Sequence, residues 1–281
     1  MCNQTYITAK ELANETIGFI EERYADSNTI SGIRSGFTCI DSITHGFKKG
    51  NLITISSYAS RNYELFMLQM VYNIAVKNKT PCGFFSYTMR YQEFGLHMLN
   101  RASQISLARL GSGMLRPKDL ELMHQANKMI YESPLIVSEL YSSSFEELCN
   151  AIRRQVAAHD LKIVFINSLN SIPLDCEFGS IKARLLNIVK KLKILAMELE
   201  ITIVVDYFIE DNEKEKTLER KTDFLNLYSN IQLVLQRIAA NPDDIYQDYR
   251  LTIICKNYWS LGYRNFKFNI KNLSFEEEKE L

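Results

Sequence analysis

The chain has 281 residues, 46% of them hydrophobic, which is enough for one large α/β domain with a short appendage. Its 33 basic and 33 acidic side chains cancel, so only a local patch can draw it to nucleic acid or an anionic membrane. No apolar run approaches the ~20 residues of a membrane span, and MCNQTYITAK lacks the basic and apolar regions of a secretory signal.

Residues 8–25, TAKELANETIGFIEERYA, read as an amphipathic helix, with Leu12, Ile17, Phe19 and Ile20 as its apolar positions. Thr8 and Glu11 have the spacing of a capping box. The polar DSNTISGIRSG that follows reads as a linker. So short a helix cannot bury its own stripe, and it must dock on the main domain or on another subunit.

Apolar strand candidates then fall at 51–56, 82–87, 135–138, 162–167, 201–207, 231–236, 250–256 and 264–270. Helical stretches near 65–78, 91–102, 117–131, 144–159 and 181–199 separate the earlier ones. Such alternation predicts an α/β fold, a mostly parallel sheet flanked by helices. The last strands follow one another closely and predict an antiparallel edge. The charge-dense segment 210–221 and the tail FEEEKEL read as solvated surface.

Between the first strand and its helix lies SYASRNYE, Ser57 to Glu64. A phosphate-gripping loop in that place reads [GA]xxxxGK[ST]: glycines let N–H groups close on phosphate, the lysine meets the β/γ-phosphates, and the hydroxyl holds Mg²⁺. Here Asn62 stands for the second glycine, Tyr63 for the lysine and Glu64 for the hydroxyl. The strand–turn–helix frame resembles that of a nucleotide motor, and the charges are wrong for its ligand.

The six cysteines are dispersed, with no C-x-x-C pair, and fit reduced thiols of a cytoplasmic protein. The four histidines are isolated from one another, so no metal site is expected. Balanced charge favours self-association.

Four stretches in order resemble the C-terminal motor domain of DnaB-type replicative helicases, a RecA-like P-loop NTPase fold. They are GIRSGFTCIDSITHGFKKGNLITIS (32–56), GFFSYTM (83–89), KIVFINSLNSI (162–172) and LKILAMELEITIVV (192–205). The first carries Gly36-Phe37, Asp41, Gly46-Phe47 and Gly50 at the family's entry to its core. The helix at 8–25 resembles the linker helix that packs on a neighbouring ring subunit. The resemblance thus implies a linker over 1–31 and the motor domain over 32–281.

The same resemblance implies where catalytic groups belong, and those positions hold other residues. Besides Tyr63 and Glu64, Thr88 stands for the general-base glutamate, Asn167 for the Walker B aspartate and Phe208 for a glutamine sensing γ-phosphate. Of the Lys-x-Arg pair that reaches into the adjacent subunit's site, Lys256 remains and Tyr258 replaces the arginine. Losing one charge stabiliser costs about 10²–10³ in rate, so losing them together predicts little turnover and no need for ATP or Mg²⁺. The former phosphate loop, Ser57, Ser60, Arg61, Asn62, Tyr63 and Glu64, binds nucleotide only if Arg61, or Lys256 in trans, serves as a new phosphate ligand. The resemblance further implies that aromatic side chains, Tyr58, Tyr63, Tyr258 and Trp259, fill the vacated site as a subunit contact.

In the family, loops lining the ring's pore contact single-stranded DNA. Their cations here are Lys182 and Arg184 in the first and Lys214 and Lys216 in the second. Acidic residues interrupt both, and two ordinary charged loops is the competing reading. The expectation is a catalytically degenerate relative of the helicase motor, structural or regulatory in DNA replication, forming a homo-oligomer or joining a helicase ring. The alternatives are a divergent but authentic ATP-dependent helicase, and an adaptor or inhibitor of an active ring.

Overall fold

A computed structural model describes residues 6–25, 30–58, 62–173, 180–208, 225–239, 245–256 and 260–278. The first element is helix α1 (Ala9–Ala25), whose start is tied by Glu11: its carboxylate accepts from the Thr8 N–H at 2.9 Å, and its own N–H donates to the Thr8 hydroxyl at 3.3 Å. A short helix α2 (Thr38–Thr44) leads to β1 (Leu52–Tyr58) and α3 (Tyr63–Val71). Helix α3 continues as a π-helical turn over Tyr72–Lys77, where the sequence predicts plain helix.

Next come β2 (Cys82–Ser86), α4 (Tyr91–Ser103), α5 (Leu107–Ser112), α6 (Pro117–Tyr131), β3 (Leu135–Glu139), α7 (Phe145–His159) and β4 (Ile163–Asn167). The chain continues with α8 (Ile181–Glu198), β5 (Thr202–Phe208), β6 (Ile231–Ala239), β7 (Tyr246–Cys255), β8 (Ser260–Asn269) and β9 (Ser274–Glu277).

The strands form one sheet in the order β3-β2-β4-β5-β1-β6-β7-β8-β9. Pairs from β3 to β6 are parallel, and those from β6 to β9 are antiparallel. Parallel strands need covering on both sides, because their crossovers lay helices on each face. Ile53, Phe84 and Phe165 belong to the core that includes Phe66 and Met98 from α3 and α4. Leu52, Val164 and Ile203 belong to the other, with Leu148 from α7 and Leu192 from α8.

Gly36 shows why the entry segment needs its glycine. Its φ is +82°, and a Cβ there would lie 2.4 Å from the Asn73 side chain.

One expectation is corrected. The start of the tail is not wholly solvated surface: residues 274–277 form β9, and Phe275 is buried with its ring 5.1 Å from that of Phe66. Period-two alternation turns Glu276 outward, while Glu277, on the same face as Phe275, is half-buried and accepts from the Cys39 N–H at 3.2 Å. The short helices α2 and α5 have no counterpart in the sequence pattern, being too brief for a periodic signal. The segment 210–221 lies outside the described residues.

Candidate functional site

The C-terminal ends of β1, β2, β4 and β5 meet beside the start of α3, the edge where parallel α/β sheets bind ligands. Tyr63, the first residue of α3, is buried, and its ring centroid lies 6.2 Å from that of Phe208 at the end of β5. Asn62, just before it, donates through Nδ2 to the hydroxyl of the buried Tyr249 at 2.8 Å. That bond anchors the helix start to β7.

Asn167 ends β4 with no exposure. Its Oδ1 accepts from the hydroxyls of Ser86 (3.2 Å) and Thr88. Its Nδ2 donates to Asp206 on β5 at 3.1 Å. The Ser168 N–H also donates to Asp206. Despite these two donors, burial, and next the nearby charge of Glu64, push the Asp206 carboxyl up to about 8. At neutral pH this carboxyl is therefore mostly protonated. Sequence reasoning missed Asp206; the available signal was a lone acid inside the apolar run ITIVVDYF.

Beside these groups a cavity of about 410 Å³ opens, with Tyr63, Glu64, Thr88, Glu93 and Phe208 in its wall. Its described lining holds two carboxylates and neither lysine nor arginine. Of the four aromatic residues expected here, Tyr63 packs into the core against Phe208, and space remains next to it. Tyr258 and Trp259 lie outside the described residues, as do Ser60 and Arg61; of Tyr58 the structure describes only its place in β1. Ser57 is fully buried on β1, and its hydroxyl has no hydrogen-bond partner among the described residues.

Lys256 sits at the other end of the sheet. Cys255 pairs with Ile231, which pairs with Ile53, so Lys256 is level with the start of β1. The length of β1, about 20 Å at ~3.3 Å per residue, separates it from Tyr63. Its backbone N–H donates to Asn230 and its Nζ to the Leu227 carbonyl at 3.1 Å.

Of the expected DNA contacts, Lys182 is exposed in the first turn of α8. Arg184 donates to the Asn170 carbonyl at 3.0 Å, bracing the turn after β4. Lys214 and Lys216 lie outside the described residues. Among the described residues no group of three or more His, Cys, Asp or Glu is placed to hold a metal, and no helix is long and apolar enough to cross a membrane.

The mixed sheet, its flanking helices and the ligand edge define an α/β domain of the RecA-like class. The sequence profile of the DnaB-like helicase C terminal domain matches residues 32–220, and the chain belongs to that family. It is 28% identical over 200 residues to the replicative DNA helicase DnaB of Treponema pallidum (strain Nichols), covering 71% of this chain and 46% of that protein. It is 24% identical over 229 residues to the DnaB of Geobacillus stearothermophilus, covering 79% and 48%. The chain spans about half the length of these curated relatives.

Two solved structures share the fold. One, an isolated ATPase domain, superposes with a TM-score of 0.83 at 18% identity, over 95% of this chain and 99% of that one. A DnaB-like replicative helicase, described with its interactions with primase, gives 0.82 at 18% identity, over 97% and 67%.

Proposed function

We propose that this chain is a DnaB-type motor domain that no longer turns over nucleotide and serves DNA replication as a structural or regulatory component. One observation carries the reading. Tyr63, which the sequence resemblance puts in the position of the family's phosphate-binding lysine, is buried, and the adjoining cavity has Glu64 and Glu93 in its described lining but no lysine or arginine. A triphosphate brings several negative charges, and Coulomb repulsion from two carboxylates opposes its seating. Exchanging Tyr63 for an ammonium in the same buried place would carry a desolvation cost. The residues present therefore do not fit ATP with Mg²⁺, and no hydrolytic step is derived through them.

The charges fit a subunit contact instead. The cavity is acidic, while Lys256 and Lys193 lie at the opposite edge of the sheet, where Lys193 donates to Asn230 at 2.8 Å and Lys256 to Leu227. Two copies stacked head to tail would set Lys256 of one against Glu64 of the next, with no nucleotide between them. The exposed Leu12, Ile17 and Ile20 of α1 supply a second surface for a like copy or a helicase ring.

A second reading, a divergent but active ATP-dependent helicase, draws on Asp206. This acid stands one strand from Asn167 and close to where a motor needs its metal-directing carboxylate. Calorimetric titration with ATP and Mg²⁺, paired with an ATPase assay on single-stranded DNA, separates the two. The proposal expects neither binding at millimolar nucleotide nor turnover. Turnover abolished by Asp206→Asn would replace it with the second reading.

A further inference from the structure

The N-terminal edge of the parallel strands holds a second cavity, of about 490 Å³. Lys48 and Lys49 reach it from the turn before β1, Lys162 from the residue before β4, and Arg34 from the entry segment. Glu200 is the one acid in its described lining. This reverses the electrostatics of the opposite edge, where the described lining carries carboxylates and no cation.

We propose that this cavity binds a phosphate-bearing ligand, anchored by Arg34, Lys48, Lys49 and Lys162. Carboxylates stand beside two of these cations, Glu200 beside Lys49 and Asp160 beside Lys162. Lys49 meets Glu200 only at 3.9 Å, with both side chains about three-quarters exposed, and such pairs are weak and easily exchanged. Lys162 pairs with Asp160 at 2.5 Å, again between exposed side chains. Lys48 donates to the Ser31 hydroxyl, which holds its ammonium at the cavity wall. Arg34 is exposed and makes no hydrogen bond or ion pair among the described residues, although its charge acts on the buried Asp41.

Four cations around one concavity exceed the two carboxylates beside them, Glu200 and Asp160. They match a group with up to two charges and several acceptor oxygens, which an arginine fork and lysine point charges recognise together. The volume falls within the ~300–1,000 Å³ of small-molecule sites and exceeds a bare phosphate. The half-buried Ile33 in the wall offers apolar contact to whatever the phosphate is attached to. The assignment is independent of the proposed loss of turnover, which concerns the other edge.

The test is an amide NMR titration of the whole chain with two probes, inorganic pyrophosphate and a single-stranded oligothymidylate of about 20 nucleotides. Shifts at Gly32, Ile33 and Thr80 with either probe are expected, and the double variant Lys49→Gln, Lys162→Gln should weaken that binding about tenfold. Response to pyrophosphate alone identifies a small phosphate compound. Response to the oligonucleotide, with a salt slope lowered by ~1.4 in the double variant, identifies a nucleic-acid backbone. Both lysines are exposed, and unchanged circular dichroism would show the fold intact. No shift at those amides with either probe overturns the proposal. So does unaltered affinity in the double variant, including the case where only Lys182→Gln with Arg184→Gln removes binding.

Discussion

Asn167 and Asp206 sit side by side on adjacent strands, with the amide of the first donating to the carboxyl of the second at 3.1 Å inside a fully buried environment. The acid is held up near 8 by burial and by Glu64, so the folded protein keeps a proton that the unfolded chain releases near pH 4. Its contribution to stability is thus full below about pH 4 and is lost as pH rises through about 8.

His97 acts in the opposite sense. Burial, and next the charge of Arg101, hold it down at about 4, so acid must force a proton onto a buried ring. Its contribution is full above the unfolded value near 6.5 and is lost as pH falls through about 4. The two slopes oppose one another between about pH 4 and 6.5, leaving the Asp206 slope visible from about 6.5 to 8. Urea unfolding at stepped pH should show stability falling across that upper window. In Asp206→Asn the fall should disappear; its persistence would count against the assignment.

Asn167→Asp tests the same pair by substitution. It removes the donor to Asp206 and sets two carboxyls together without exposure to water. The loss should be about 1–3 kcal/mol from the broken buried hydrogen bond, and larger at pH 8 than at pH 5 as like charge accumulates. Denaturant midpoints at the two pH values check both size and direction.

Much of this architecture is legible in the sequence because burial enforces simple periods. The runs IVFI within KIVFIN and IVV within ITIVV are apolar, as strands covered on both faces must be, and β4 and β5 fall there. Strand β9 is hidden because one buried Phe275 sits among glutamates, and only long-range pairing with β8 gives that pattern meaning. The site divides in the same way. Tyr63 and Asn167 can be placed by their position along the chain. The coupling of Asn167 to Asp206 joins residues 39 apart and emerges only when β4 and β5 pair.

Arg101 ties α4 to distant backbone. It is buried, donates to the carbonyls of Leu273 and Leu65, and burial lowers it to about 10. The Leu273 carbonyl precedes β9, so this side chain pins the last strand to the helical layer. Arg101→Ala should cost roughly 1.5–3 kcal/mol, the range for hydrogen bonds to a charged group. Hydrogen exchange should quicken first in 274–277, whereas uniform acceleration would place the effect elsewhere.

Helix α1 offers a test in which stability and association part company. Leu12, Ile17 and Ile20 are 54%, 55% and 53% exposed, and none of them belongs to either core. Polar replacement there removes almost no intrachain packing and should leave the unfolding midpoint within about 0.5 kcal/mol of the parent. Burying those side chains against another subunit would be worth about 1.5–3 kcal/mol each, so Leu12→Asp with Ile17→Asp should weaken assembly by two or more orders of magnitude. Light scattering across a dilution series reads the second effect and denaturant unfolding the first. Equal loss in both measurements would mean that α1 packs on its own domain.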